Sequence, residues 1–209
     1  MLWWPWIQIV IWSGLLLKTS SFCVHQVLTH CERRPADLMV RLKDPLLAVL
    51  PCHDTTHWIN LLQHTLHLLY IPNILFLVLG CSDSQPFATT ALAFILVILM
   101  RSLCMFVTPL ETPQGHIHLQ DRVQSLTFGY RSNDTSFDRD LMFSGHVSVL
   151  CMAGWTYQLW PQLRPLYLVA ALVQTLNLLL SRVHYTIDVV VAPFMSYGCW
   201  QLAQYLLAS

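Results

Sequence analysis

Charged side chains are scarce in this sequence. Of its 209 residues only 11% are charged, whereas 55% are hydrophobic. A soluble domain carries roughly a quarter charged residues, so the deficit indicates a protein whose surroundings are mostly lipid. The formal net charge is zero, and the chain therefore lacks the basic field that binding to nucleic acid requires.

Closely spaced cysteines are also lacking. The seven cysteines are scattered, none at the short spacing of zinc or redox motifs, and their odd number provides no disulfide framework. Cys23, Cys31 and Cys52 can pair if their loop meets an oxidising compartment. Free thiols that act as small apolar side chains are the simpler interpretation.

Long hydrophobic runs are what the sequence has in abundance. Each is long enough to span a bilayer as a helix. A helix forms all of its backbone hydrogen bonds within one segment, which a lone strand in lipid does not. Six such runs can be drawn, over residues 1–17, 58–80, 88–110, 141–160, 163–181 and 185–207. We expect an all-α, polytopic bundle of six transmembrane helices, forming a single integral-membrane domain over 1–209. The first run lacks the basic start and cleavage site of a signal peptide, so we expect a retained anchor.

Two histidine motifs flank the fourth to sixth runs. Ser-Gly-His occupies 144–146 and His-Tyr-Thr-Ile-Asp occupies 184–188, and the two histidines stand 38 residues apart across almost wholly apolar sequence. Since one crossing needs about 20 residues, the chain crosses out and back between them. Both histidines should therefore lie on the same face of the bilayer. Ionisable side chains at such positions are functional suspects.

The residue types in these motifs suit phosphate chemistry. His184 and Asp188 are spaced i, i+4, so the carboxylate can hold one imidazole nitrogen and leave the other as base or nucleophile. Ser144 can cap a helix whose free amides suit a phosphate, Gly145 permits close approach to the backbone, and His146 can protonate a departing oxygen. Taken singly, a structural N-cap, a wetted interfacial histidine and a structural helix pair explain the same residues.

Together the motifs resemble a known family. Met-Phe-Ser-Gly-His at 142–146, His-Tyr-Thr-Ile-Asp-Val-Val-Val-Ala at 184–192 and the run led by Arg101 at 101–110 are similar to motifs of sphingomyelin synthases, a branch of the type 2 phosphatidic-acid phosphatase superfamily. The resemblance extends over about residues 45–205. It implies a catalytic core at about 88–207 and an enzyme of lipid metabolism.

The resemblance implies histidine-based phosphoryl transfer. His184 would attack phosphorus and form a phosphohistidine, Asp188 would orient it, and His146 would protonate the leaving diacylglycerol oxygen and then deprotonate the acceptor. The substrates would be a phospholipid donor and a lipid acceptor such as ceramide, and no metal or other cofactor is expected. A lipid phosphatase that uses the same residues with water as acceptor is the alternative.

Arginines are candidates for binding the substrate phosphate. The superfamily's phosphatases carry an arginine six residues before the final histidine, where this chain has Leu178. Sphingomyelin synthases also lack it, and Arg182 is a candidate to supply the charge. Arg101, inside a hydrophobic run, and Arg139, near His146, are the other candidate ligands. The alternatives are a topology or lipid-headgroup role for Arg182 and snorkelling for Arg101.

Histidine enrichment supports a rival, non-enzyme hypothesis. Six of the ten histidines form close pairs that can hold a soft or borderline metal, as a metal carrier would: His53 with His57, His64 with His67, and His116 with His118. At tight ligand spacing these pairs lack cysteine or carboxylate partners, apart from Asp54.

Membrane orientation is ambiguous in the sequence. Nine of the eleven lysines and arginines fall on the predicted face of the two histidine motifs, which the positive-inside rule places in the cytoplasm. The resemblance implies an exoplasmic or periplasmic active site instead, which is the orientation we favour.

Overall fold

A computed structural model describes most of the chain, namely residues 7–8, 10–16, 18–19, 22–23, 39–80, 84–108, 110–117, 119 and 142–208. Within these ranges the only β-structure is an isolated bridge between Val40 and Leu110. The described part is therefore all-helical, as predicted.

Six helices carry the architecture of the described part. They are α1 (Pro45–Val49), α2 (Thr56–Leu75), α3 (Gln85–Val107), α4 (Gly145–Thr156), α5 (Arg164–Leu180) and α6 (Thr186–Ala208). A π-helical stretch, Phe76–Gly80, continues α2, and a 3₁₀ turn, Pro161–Leu163, precedes α5. Of the first predicted run, the described residues 7–8 and 10–16 are helical.

Three described helical segments are long and apolar enough to cross a membrane: Thr56–Leu79, Gln85–Val107 and Pro161–Leu180. Large apolar side chains also point outward, with Leu172 68% and Phe194 74% exposed. Contiguous apolar surface of this kind is unusual on a soluble monomer. Both observations support the predicted membrane protein.

The fourth predicted run differs from expectation. Its helix, α4, contains 12 residues, about 18 Å at 1.5 Å per residue, which is less than the hydrocarbon thickness. It ends because Tyr157 adopts an extended conformation. The amides of Gln158 and Leu159 then donate to Asn73 Oδ1, at 2.7 and 3.0 Å, instead of to helical carbonyls.

The helices pack so that α4 and α6 lie side by side. α3 packs against α6, α4 packs against both α5 and α6, and α2 packs against α5. Helix α5 runs the length of the bundle between the end of α4 and the start of α6, which brings the N-termini of α4 and α6 to one end. We call this the histidine end, because both histidine motifs begin there.

Candidate active site

The Ser-Gly-His motif forms the N-terminus of α4. Ser144 is the N-cap, and its hydroxyl accepts a hydrogen bond from the Val147 amide at 3.5 Å. Ser144 is fully buried, and His146 is half-buried in the first turn. A serine in the extended conformation at this position satisfies one of the donors that every helix start leaves open. The cap fixes the point at which His146 enters the bundle.

The second motif forms the turn into α6. His184 lies just before the helix and Asp188 in its first turn, with His184 Nδ1 3.4 Å from Asp188 Oδ2. The same oxygen accepts a 3.1 Å hydrogen bond from the Tyr185 amide. Both side chains are buried, at 4% and 0% exposure. The predicted pairing is thus present, although His184 reaches the carboxylate from the preceding turn and not from a shared helical face.

One carboxylate oxygen of Asp188 accepts no hydrogen bond from the described residues. This oxygen, Oδ1, is buried. A buried acceptor without a donor is costly in a finished protein interior. This oxygen is therefore a candidate acceptor for a proton donor that arrives with a ligand.

The two motifs are joined directly. The Ser144 amide donates to the Asp188 backbone carbonyl at 3.0 Å, so the cap of α4 rests on the first turn of α6. Two turns further on, Ser196 Oγ donates to the Ser148 carbonyl at 3.4 Å. The expected placement of both motifs at one end of the bundle matches this geometry.

Arg101 belongs to the same assembly. It projects from α3 and its Nε donates to the Phe143 carbonyl at 3.1 Å. A Cβ atom built on Gly145 would lie 3.0 Å from the Arg101 Cζ. The absent side chain of Gly145 therefore makes room for the guanidinium, where the sequence suggested room for a ligand. Arg101 thus places a positive charge at the start of α4, and its roles as phosphate ligand or as a residue that snorkels to this interface both stay predictions.

Arg182 has a structural role that the sequence did not indicate. It adopts φ 55°, in the left-handed region, while its amide donates to Leu179 O and the Val183 amide to Leu178 O, at 3.1 and 3.0 Å. These two bonds form the Schellman motif that ends α5, in which glycine is the usual left-handed residue.

The Arg182 guanidinium ties two loops to that turn. It donates to the Gln114 carbonyl at 2.8 Å and to the Leu50 carbonyl at 3.5 Å. Among the described residues its recorded contacts are thus with loop carbonyls and not with His184 or Asp188. Arg139, the remaining arginine candidate, lies outside the described residues.

The histidine pairs do not assemble a metal site in the described part of the chain. No group of three His, Cys, Asp or Glu side chains there is placed to hold a metal ion. His64 bonds to the Asn60 carbonyl of its own helix, and His67 meets Gln63 at 3.4 Å. His118 lies outside the described residues. The described cysteines, including Cys23 and Cys52, are free thiols, whereas Cys31 lies outside those ranges.

Sequence reasoning missed Asp44, which caps two helices at once. Its carboxylate accepts from the amides of Leu46 and Leu47 in α1, at 3.1 and 3.2 Å. It also accepts from the Thr186 amide at 2.7 Å and the Thr186 hydroxyl at 2.9 Å, at the start of α6. The Asp44–Pro45 pair is a helix-start signal that would have revealed the first cap. The second joins residues 142 positions apart, and no local pattern announces it.

Hydrogen bonding favours the charged form of Asp44. Partial desolvation raises the pKa of this carboxyl, but the bonds from Thr186, Leu47 and Leu46 together hold the pKa below its ordinary value of 3.8. Asp44 is therefore a carboxylate at neutral pH. Its charge faces the positive end of the α6 dipole, which is a favourable arrangement.

Tyr185 links the same turn to the loops. Its hydroxyl donates to the Glu111 carbonyl at 2.9 Å and accepts from the Leu42 amide at 3.3 Å. Hydrogen bonds of Asp44, Arg182 and Tyr185 thus hold the segment between α5 and α6 against the loops around it.

Comparison with known proteins agrees with the motif resemblance. Residues 139–205 match the family model described as PAP2 superfamily C-terminal, and this range contains both histidine motifs. A stretch of 78 residues is 40% identical to a Caenorhabditis elegans protein named "Putative phosphatidylcholine:ceramide cholinephosphotransferase 3". That alignment covers 35% of this chain and 23% of the relative. The predicted resemblance to sphingomyelin synthase-like proteins is confirmed over this part of the chain.

Proposed function

We propose that the protein is a lipid phosphotransferase that moves a phosphocholine-type headgroup from a phospholipid to a lipid alcohol such as ceramide. The observation that carries the proposal is the 3.0 Å hydrogen bond from the Ser144 amide to the Asp188 carbonyl, which joins the two histidine motifs into one site. The match to the PAP2 superfamily C-terminal model and the name of the C. elegans relative support the substrate class.

In the first half-reaction His184 acts as nucleophile. Asp188 Oδ2 holds Nδ1 of the imidazole, which leaves Nε2 to attack phosphorus. A nitrogen–phosphorus bond forms while the bond from phosphorus to the diacylglycerol oxygen breaks. Protonated His146 gives its proton to that oxygen. The 3.4 Å separation of His184 Nδ1 and Asp188 Oδ2 is long, as catalytic hydrogen bonds often are before substrate binds.

In the second half-reaction His146, now neutral, acts as base. It removes the proton from the hydroxyl of the lipid acceptor, whose oxygen attacks phosphorus. The bond to His184 breaks and returns the neutral imidazole, while His146 regains its proton for the next cycle. The N-terminus of α4 and the Arg101 charge would stabilise the charge that accumulates on the phosphoryl oxygens.

With a lipid phosphate as donor and water as acceptor, the same site would be a lipid phosphatase. The chain's own residues keep the same roles in both reactions. The name of the relative favours transfer to ceramide, and we therefore place the transferase first.

The proposal includes a polytopic, single-domain chain of six transmembrane helices with an exoplasmic or periplasmic active site. The three helical segments that are long and apolar enough to cross a membrane support the membrane location. The short α4 would insert only part of the way unless residues beyond its ends complete the crossing.

One experiment separates these activities. The purified full chain receives phosphatidylcholine labelled in its choline group, with and without ceramide, and products are separated by chromatography. Labelled sphingomyelin formed only with ceramide supports the proposal, and the His184→Ala protein purified in parallel is the control. Water-soluble labelled phosphocholine without transfer, or phosphate released from a lipid phosphate, would establish a hydrolase. Absence of turnover with any headgroup class, together with tight zinc binding, would overturn the enzyme assignment in favour of a metal carrier.

A further inference from the structure

A groove of about 480 Å³ lies on the outer side of the turn between α5 and α6. Residues 41–45, 47 and 48 form one wall, and Pro113, Gln114, Arg182 and Tyr185 form the rest. His184 and Asp188 are not among the described residues that line it. The groove is thus a feature beside the candidate active site, not part of it.

The groove is positively charged. Arg41, Lys43 and Arg182 line it, against the single carboxylate of Asp44. That carboxylate already accepts hydrogen bonds from Leu46, Leu47 and Thr186 and is directed into helix capping. Arg41 pairs with Glu111 at 3.1 Å, but both side chains are about half exposed, so solvent weakens that pair. A net positive charge remains for a ligand.

Apolar side chains stand between the charged ones in the lining of the groove. Leu42, Pro45, Leu47, Ala48 and Pro113 face it, so cationic and aliphatic surfaces meet in one cleft. The groove also sits at the histidine end, where the His53 amide donates to Leu180 O, the last residue of α5, at 3.0 Å. The candidate spans that end or begin here, Thr56–Leu79 and Pro161–Leu180, would place this level near lipid headgroups.

We propose that this groove binds the headgroup of an anionic phospholipid, at a site separate from the reacting histidines. Lys43 and Arg41 contact the phosphate, and the proline and leucine walls receive the glycerol end of the lipid. Free inorganic phosphate fits the charge but leaves the apolar walls without a partner. A zwitterionic headgroup leaves the excess positive charge unbalanced. The bound lipid would rest against Arg182 and Tyr185, the two residues that hold the turn carrying His184.

Lipid binding in the groove does not require the proposed reaction, so a binding measurement tests it. The full chain carrying His184→Ala is purified in detergent, and fluorescence anisotropy follows phosphatidylglycerol labelled on its acyl chain. Lys43→Gln should weaken binding about fivefold, since one cation near a lipid surface contributes roughly 1 kcal/mol. The double variant Arg41→Gln/Lys43→Gln should weaken it further, to about tenfold, because the Glu111 pair already reduces the Arg41 contribution.

Matched variants keep the test falsifiable. Lys43→Arg retains the charge and should bind as the parent does, and Lys18→Gln, an exposed lysine outside the groove, should do the same. Unlabelled phosphatidylglycerol should displace the probe far better than phosphatidylcholine or inorganic phosphate. Equal affinity in the parent and the double variant, equal displacement by phosphatidylcholine, or full displacement by inorganic phosphate would each overturn the proposal. Turnover plays no part in these readouts, so failure of the proposed function leaves them intact.

Discussion

The backbone amide of Ser144 donates to the backbone carbonyl of Asp188 at 3.0 Å. Because this bond is between main-chain atoms, the separation of the two motifs does not depend on any side-chain rotamer. Ser144 precedes His146 by two residues, and Asp188 holds the imidazole of His184. A displacement of α6 relative to α4 would therefore break this bond and move His184 relative to His146.

The first prediction concerns the two histidines. His184→Ala and His146→Ala should each abolish turnover, because one removes the nucleophile and the other the proton donor. Both proteins should still insert into membranes. His57→Ala, an exposed histidine at the same end of the bundle, is the control and should retain the parent rate. Radiochemical assay of headgroup transfer measures all three, and substantial activity in either site variant would contradict the assigned roles.

Asp188→Asn should reduce kcat without eliminating it. An amide in place of the carboxylate can present its NH₂ group to the imidazole, which favours the wrong tautomer, and a comparable change in an orienting aspartate costs about 10⁴-fold. His184 itself would remain, so a measurable rate should persist above that of His184→Ala. Single-turnover kinetics against pH provide the measurement. An unchanged rate, or a loss as complete as that of His184→Ala, would show that Asp188 does not act by orienting the imidazole.

Gly145→Ala tests the contact with Arg101. The new Cβ would lie 3.0 Å from the Arg101 Cζ, so the guanidinium must shift by a few tenths of an ångström at the start of α4. We expect kcat/KM to fall roughly tenfold, about 1.4 kcal/mol of lost transition-state stabilisation.

Gly198→Ala is the matched control for that change. Gly198 is also helical, and a Cβ there meets nothing within 4 Å, so activity should stay at the parent level while stability rises slightly. Equal kinetics for both variants would mean that the position of Arg101 is unimportant for the reaction.

Two rules let the sequence predict where the helices of the candidate site begin. Crossing length fixed the histidines to one end of the bundle, and the change from polar to apolar residues located the start of α6, predicted at 185 and observed at Thr186. Helix α4 was predicted too long. Hydropathy does not reveal that the Gln158 and Leu159 amides donate to the Asn73 side chain instead of to helical carbonyls.

The supports of the site were not predictable in the same way. Arg182 is a candidate phosphate ligand in the sequence because its charge is visible there. Its left-handed backbone and its bonds to Gln114 and Leu50 depend on contacts between distant parts of the chain. Asp44 was missed because its partner Thr186 is distant in sequence. Long-range capping has no periodicity, so only the assembled structure reveals it.

Membrane orientation is decided by labelling. Cys52 is exposed at the histidine end, and Gln85 is exposed at the opposite end, at the start of α3. Proteins with a single cysteine at 52 or at 85 are treated in sealed right-side-out vesicles with a membrane-impermeant maleimide. If the active site is exoplasmic or periplasmic, position 52 should react and Gln85→Cys should react only after lysis. The reverse pattern would favour the positive-inside count over the resemblance.

Asp44 makes stability depend on pH in a predictable direction. Its pKa in the folded protein is held below the ordinary 3.8, so the stabilisation is complete above that pH and is lost as the pH falls through the lower, folded value. Asp44→Asn leaves the Thr186 amide without its Oδ2 acceptor and should cost about 1–2 kcal/mol at neutral pH. The gap between the two proteins in thermal unfolding should then shrink below pH 3.8. Asp54→Asn is the comparison, because Asp54 bonds to the neighbouring Thr56 and its substitution should cost less stability.

Asp44 also fixes the start of α6, so headgroup transfer by Asp44→Asn should slow as well. A variant that is destabilised yet fully active would show that the Asp44 bonds to Thr186 do not support the candidate site.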